Sequence, residues 1–248
     1  MKENEVILKR QSTRIFFKNG DTDFFFNWLL GIGEVFGFSH GELYYLAQKL
    51  GKSPKPDDWK NVFLSHGDYL EQKVSNSDLS GQTEAQYYLA QAYSFRSAIQ
   101  FINPYSDEYL STVHQMERAF SDAVHSLGAP VEKLAIDYQD SYLPGYYLHS
   151  GNNCPTLIMV GGGDTYREDL FYFAGYPGWR RSYNVLMVDL PGQGTNPGRG
   201  LTFDANAAIP ISLCIDWLEG RNPELNDLAI YGVSGGGYFT AQAAEEDP

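Results

Sequence analysis

The stretch Leu228-Ala-Ile-Tyr-Gly-Val-Ser-Gly-Gly-Gly-Tyr238 decides how this chain folds. It begins with four uncharged residues suited to a buried strand, passes through Gly232-Val-Ser-Gly-Gly236, and runs into an alanine-rich helical segment from Tyr238 to Glu246. Gly-x-Ser-x-Gly between a strand and a helix puts the serine in a strained turn that lifts its hydroxyl off the sheet edge. Glycine two residues to either side spares the turn a Cβ that would collide with the neighbouring strand or helix. The helix start adds partial positive charge and free N–H groups where an oxyanion would form. Ser234 is therefore the candidate nucleophile, and the Gly235 N–H is one candidate oxyanion donor. The plain alternative is a glycine turn, which a chain with 25 glycines can meet by chance.

Upstream of this stretch two further apolar runs end in glycine. Thr156-Leu-Ile-Met-Val160 precedes Gly161-Gly-Gly163, and Asn184-Val-Leu-Met-Val188 precedes Asp189-Leu-Pro-Gly192. Continuous apolar strands separated by helix-length segments predict a parallel sheet covered on both faces. The separating segments read as helices over Glu168–Ala174 and Phe203–Leu218, with Pro210 as a blemish. Leu134-Ala-Ile-Asp-Tyr138 and Gly145-Tyr-Tyr-Leu148 suggest a strand pair around a Leu-Pro turn. The glycine run at 161–163 lies after a strand and before a helix, which makes the Gly163 N–H the second candidate oxyanion donor. Neither glycine run carries the Lys-Ser/Thr of a phosphate-binding loop, and position 166 is Tyr where a dinucleotide fingerprint needs Gly. Gly31-Ile-Gly33 is a weaker echo with no parallel strand before it. No cofactor is expected.

Residues before about 130 have a different texture, helical and aromatic. Ser39-His-Gly-Glu42 has capping-box spacing, with the helix stopping near Gly51, and Thr83-Glu-Ala-Gln86 repeats the signal. The clearest helix runs from about Asp107 to Leu127, with apolar positions Tyr109, Val113, Met116, Phe120, Val124 and Leu127, before Gly128 and Pro130 stop it. Residues 52–60 and 75–82 read as loops. Phe24-Phe25-Phe26-x-Trp28 reads as core, while some tyrosines could line a pocket for a flat aromatic substrate. The chain therefore divides into a helical domain at 1–130 and an α/β portion at 131–248.

Composition narrows the function. The chain has 248 residues and a formal charge of −13, with 43% hydrophobic and 20% charged residues. That is globular usage, and an acidic chain without a basic run argues against nucleic acid or an anionic membrane as partner. No apolar stretch reaches the ~20 residues of a membrane span, and the N-terminus lacks the cationic-then-apolar order of a signal peptide. The two cysteines, Cys154 and Cys214, have no ligand-like spacing, which points to a reducing cytoplasm without structural zinc.

Residues 131–248 resemble the first five core strands of an α/β-hydrolase, the third strand carrying Gly161-Gly-Gly163, the fourth leading into Asp189-Leu-Pro-Gly-Gln-Gly194 and the fifth to Ser234. Together with the helical half, Gly-Gly-Gly-Asp-Thr-Tyr-Arg-Glu-Asp169 and Leu143-Pro-Gly-Tyr146 resemble a narrower group. It includes dihydroxypseudo-oxynicotine hydrolase, fermentation-respiration switch proteins and polyketide-shortening hydrolases. The match is close over 131–248, loose over about 80–130 and architectural before that. The resemblance implies that the helical half caps the active site, that a Ser-His-Asp triad operates, and that the reaction is hydrolysis of an ester-type or carbon–carbon bond.

One departure matters. In that family the acid and histidine follow the serine, but only fourteen residues follow Ser234 and none is histidine. Glu245, Glu246 and Asp247 close the helix after the serine and read as a solvated terminus. His40, His66, His114, His125 and His149 all precede Ser234 and read as surface or cap-packing residues, with a substrate contact as the lesser alternative, and Asp189 reads more as a structural turn residue than as a catalytic acid. The expectation is thus a serine hydrolase sequence interrupted after its nucleophile turn, whose acid and histidine lie in a C-terminal remainder, in the same gene or a separate chain. The substrate would be a small carbonyl compound, with cleavage of a 1,3-dicarbonyl aromatic or polyketide-like molecule favoured. A carboxylesterase or acyl-peptidase stays open, as do a homodimer and a non-catalytic binding protein that keeps the fold.

Overall fold

The computed structural model describes residues 14–33, 37–223, 225 and 227–246. Five helices come first: α1 (Gly20–Gly33), α2 (His40–Leu50), α3 (Pro56–Ser75), α4 (Gly81–Ile99) and α5 (Asp107–Ser126). A five-stranded sheet follows, built from β1 (Val131–Tyr138), β2 (Ser141–Leu148), β3 (Thr156–Val160), β4 (Asn184–Val188) and β5 (Leu228–Gly232). Between β3 and β4 run α6 (Arg167–Leu170), a π-helical turn (Phe171–Gly175) and α7 (Tyr176–Trp179). Helix α8 (Ala208–Arg221) joins β4 to β5, and α9 (Gly235–Glu246) follows β5.

The strand order is β1-β2-β4-β3-β5. β1 and β2 form an antiparallel hairpin, β2 is antiparallel to β4, and β3 is parallel to both β4 and β5. The chain leaves β3 to one side for β4 and returns to the other side for β5. That reversal opens a crevice at the carboxyl ends of β3 and β5, where open α/β sheets bind their ligands. Alternate residues of β2, β3 and β4 feed two cores. Tyr146, Leu148, Met159, Val185 and Met187 join the helical half in one cluster, while Tyr147, Ile158, Val160, Leu186 and Val188 pack under α8 and α9 in the other. The fold is α/β as expected, and the helices before β1 share a continuous apolar core with one sheet face.

Several local features match their sequence signals. The Ser39 hydroxyl caps α2 by accepting the Glu42 N–H (3.1 Å), Gly51 ends it, and α5 begins on Ser106 with the hydroxyl accepting the Tyr109 N–H. In the aromatic run Phe26 is buried against Phe17 and Tyr44, and Phe25 and Trp28 pack on Phe101 and Tyr93.

Other expectations are corrected. The hairpin turns at Gln139-Asp140, with Gln139 at φ 52°, not at Leu143-Pro144. Pro144 lies inside β2 opposite Ala135, and its carbonyl still accepts the Asp189 N–H at 3.0 Å. Helix α4 starts at Gly81 behind Ser80, so Thr83 belongs to its first turn and is not the cap. Residues 56–60 are helical: Pro56 opens α3, where a missing N–H costs nothing, and Asp58 accepts the Lys55 N–H at 2.9 Å. Pro210 likewise sits in the first turn of α8, which starts at Ala208 rather than Phe203. The segment predicted as one helix over Glu168–Ala174 runs from Arg167 to Trp179 through the π-helical turn.

Candidate active site

Ser234 occupies the turn between β5 and α9 with φ 55°, a left-handed conformation that is uncommon for a residue with a side chain. The turn is forced by crowding on both flanks. A Cβ on Gly232 would sit 2.2 Å from the Gly236 carbonyl oxygen, and one on Gly236 would sit 2.5 Å from that of Val160 and 2.6 Å from that of Gly161. The Val233 N–H donates to the Val160 carbonyl (3.0 Å), carrying the β3–β5 ladder to the residue before the serine. Ser234 is exposed, and no hydrogen bond among the described residues engages its hydroxyl.

The glycine loop after β3 lies directly against it. A Cβ on Gly162 would meet the Ser234 Cβ at 2.9 Å, and one on Gly235 would lie 3.8 Å from the Gly163 nitrogen. The structure thus brings together all three candidate residues, Ser234, Gly163 and Gly235. Within the loop the Gly162 N–H is used up in a bond to the Thr165 hydroxyl (3.0 Å), while Gly235 opens α9 and so owns one of its unsatisfied N–H groups. Gln193, buried in the turn after β4, donates to the Gly161 and Gly162 carbonyls at 2.6 and 3.0 Å and accepts the Leu190 N–H at 2.8 Å.

Beside the loop is a cavity of about 210 Å³ whose walls come from both halves of the chain. Arg96, Ile99 and Tyr109 face it from the helical side, and Gly163, Asp164 and Tyr166 from the sheet side. A larger cavity of about 730 Å³ lies between α2 and α3, lined by Tyr45, Lys49, His66 and Tyr69, and includes neither glycine loop.

The charged run after the glycines is buried, which sequence reasoning missed. Asp169 takes the Arg96 Nε at 2.9 Å, the Arg96 guanidinium also donates to the Asp164 carbonyl, and it lies 4.3 Å from the Tyr166 ring centre. Arg167 binds Asp189 (3.0 Å), Glu117 and Glu168 (3.3 Å), while Tyr146 donates to Glu168 at 2.8 Å. The Tyr109 and Tyr166 hydroxyls meet at 2.6 Å. Burial pushes Asp169 and Glu168 above the usual carboxylate range although each has an arginine beside it, and it lifts Asp189 to about 7. Asp189 is therefore part of a buried ionic cluster, in keeping with a structural role at that turn. One signal was available: Arg96 interrupts a run of small and aromatic residues from Ala92 to Ala98, which demands a buried partner.

The histidines lie elsewhere. His66 is buried in the helical half between the Ser94 hydroxyl (2.8 Å) and Glu42 (3.1 Å), and His40, His114, His125 and His149 are exposed. None is hydrogen-bonded to Ser234. Glu245 and Glu246 are exposed at the end of α9, and Asp247 lies outside the described residues. Among the described residues no group of histidine, cysteine and acidic side chains could hold a metal ion, and no helix is long and apolar enough to cross a membrane.

No family model matches the chain. It is 27% identical to the alpha/beta hydrolase ucsC of Acremonium sp, over 88% of this chain and 50% of that protein. It is 26% identical to the 20-hydroxy-prefusarin hydrolase FUS2 of Gibberella moniliformis, over 89% of this chain and 57% of that protein. Among solved structures, AbyA5 superposes with a TM-score of 0.67 at 16% identity, covering 93% of this chain and 60% of its own. The 2,6-dihydroxy-pseudo-oxynicotine hydrolase does so with a TM-score of 0.67 at 18% identity, covering 88% and 61%. The chain spans about half the length of the curated relatives it matches. It has the α/β-hydrolase fold, and its sequence relatives are named hydrolases.

Proposed function

We propose, from this membership of the α/β-hydrolase fold, that the protein is a serine hydrolase working through an acyl-enzyme. The single observation that carries the reading is Ser234, held at φ 55° in an exposed strand-to-helix turn with the β3 glycine loop against its Cβ. Its hydroxyl oxygen attacks a substrate carbonyl, and the Gly163 and Gly235 N–H groups take the oxyanion. Gly163 is chosen over Gly162 because the Gly162 N–H is committed to Thr165. A serine needs a base, so the histidine and acid come from sequence outside these 248 residues. In this proposal residues 1–130 serve as the cap, their α4 and α5 walling the cavity beside Gly163. Residues 131–248 supply the strand-1-to-5 portion of the core. Two free cysteines fit a cytoplasmic location.

The favoured substrate is a 1,3-dicarbonyl, aromatic or polyketide-like compound, following the resemblance to polyketide-shortening hydrolases. Attack of Ser234 then forms a tetrahedral adduct, and the carbon–carbon bond breaks with its electron pair held as an enolate by the second carbonyl. Protonation releases a ketone, and water hydrolyses the acyl-serine to a carboxylic acid. The experiment uses the full-length protein. A fluorophosphonate probe should label Ser234, Ser234→Ala should abolish labelling and turnover, and an aryl β-diketone should yield ketone and acid. Efficient cleavage of p-nitrophenyl esters with no action on diketones makes it an esterase. Turnover by folded Ser234→Ala overturns the nucleophile.

A further inference from the structure

We infer that Gln193 is a positioning residue that aims the Gly163 N–H at the oxyanion, an inference that rests on the nucleophile reading above. A peptide unit is planar and trans, so its C=O and N–H point in opposite directions. The Gly162 carbonyl and the Gly163 N–H belong to one such unit. The Gln193 carboxamide donates to that carbonyl at 3.0 Å and to the preceding one, of Gly161, at 2.6 Å. Holding the carbonyl from one side fixes the direction of the Gly163 N–H on the other.

The carboxamide is itself rigid. It is 1% exposed, and its oxygen accepts the Leu190 N–H at 2.8 Å. Its turn is tied down again by Asn196, whose amide donates to the Asp189 and Leu190 carbonyls at 2.9 and 2.8 Å. A loop of three glycines has no side chains of its own to resist peptide rotation, and its internal bond to this carbonyl, from the Thr165 N–H, is long at 3.4 Å, so the shorter bond from outside sets the direction. The amide serves both directions at once, accepting from Leu190 with its oxygen and donating to two carbonyls with its nitrogen. No ionised or apolar side chain of similar size can do this.

The test is the rate of fluorophosphonate labelling of Ser234 in the full-length protein, resolved into the maximal rate and the concentration for half-maximal rate. Gln193→Met fills the same space without donors, and Gln193→Glu keeps the shape but turns an acceptor toward two carbonyls. The maximal rate should fall about 10–100-fold in both, since an oxyanion donor is typically worth 10²–10³ and is here misaimed rather than removed. The half-maximal concentration should stay within about threefold, because the donor acts chiefly as charge develops. Gln193→Glu should regain rate, relative to the parent at the same pH, as the pH is lowered, because the protonated acid can again donate to a carbonyl. A purely structural role would tie that recovery to a parallel rise in the thermal midpoint, whereas a positioning role gives the rate change at pH values where the variant stays fully folded. Maximal rates within threefold of the parent in a folded variant overturn the inference while leaving Ser234 as nucleophile. Labelling that persists in Ser234→Ala overturns both. Should Gln193→Met fail to fold, the isosteric Gln193→Glu and its pH profile decide alone.

Discussion

Arg96 on α4 and Asp169 on α6, 73 positions apart in the chain, form a buried ion pair with the Arg96 Nε at 2.9 and 3.2 Å from the two carboxylate oxygens. Both side chains are almost wholly withdrawn from solvent, at 1% exposure each. The same guanidinium reaches the Asp164 carbonyl, next to Gly163, so the helical half grips the glycine loop through one side chain. A buried pair is costly to break because the remaining charge has no water to turn to. Arg96→Met should destabilise the protein by about 3–5 kcal/mol in urea unfolding, and adding Asp169→Leu should restore much of that loss. A single substitution costing under about 1 kcal/mol would mean that the pair is solvated.

The ion pairs around Arg167 give the fold a pH dependence. One guanidinium faces Asp189, Glu168 and Glu117, and of the three only Glu117 has a second cation, Lys133 at 2.9 Å. Burial lifts Asp189 to about 7, with Arg167 only partly offsetting it, whereas Asp in an unfolded chain titrates near ~3.9. Between these values the native state keeps a proton that the unfolded state has lost. The contribution of Asp189 to stability is therefore complete below about pH 4 and declines as the pH rises to about 7. Urea midpoints measured from pH 5 to pH 8 should fall more steeply for the parent than for Asp189→Asn, which stays neutral throughout. Parallel curves would show that Asp189 is ionised across this range.

Gly162 touches the serine more closely than any other glycine in the loop, so it gives a local test of the site. A methyl group there would lie 2.9 Å from the Ser234 Cβ and 3.1 Å from the Val233 carbonyl oxygen. Either the loop or the serine has to move by several tenths of an ångström. Gly162→Ala should slow fluorophosphonate labelling on the order of 10–100-fold, since small misplacements of reacting groups carry penalties of that size. The thermal midpoint should move far less than for Gly236→Ala, whose methyl would strike the backbone of β3 and its loop. Parental labelling by Gly162→Ala would show that the loop yields freely and does not set the serine.

How much of this was legible in the sequence depends on how local the cause is. The strand–Gly-x-Ser-x-Gly–helix turn reads directly because its glycines answer to contacts within the same turn and the next strand. The three apolar runs ending in glycine read as parallel strands for the same reason. The Arg96–Asp169 pair did not read, because a charged run such as Tyr166-Arg-Glu-Asp169 ordinarily faces water and its partners lie on α4, α5 and β2. Pro144 misled in the other direction: a proline usually marks a turn, but here it lies inside a strand and its carbonyl bonds Asp189, the residue after β4. Gln193 carries no sequence signal beyond its place between two glycines, and its role follows only once β3 and β4 lie side by side.

The edge of the sheet yields the last prediction. β5 pairs with β3 from Leu228 opposite Thr156 to Gly232 opposite Val160, and among the described residues nothing pairs with its other side. Leu228 is 37% exposed and Tyr231 50%, on a strand without charge, proline or bulge to discourage another strand from adding. The neighbouring helix leaves Tyr238 exposed as well. An unprotected apolar edge of this kind templates strand addition from any chain that reaches it. We therefore expect these 248 residues, expressed alone, to self-associate and to lack turnover, and the full-length protein to place further strands on β5. Tyr231→Lys, which puts a charge on the open edge, should raise the solubility of the short polypeptide and lower that of the full-length protein, where the same position would be covered. Light scattering and soluble yield measure both. A short polypeptide that stays monomeric, unfolds cooperatively and turns over substrate would mean that β5 is a natural edge.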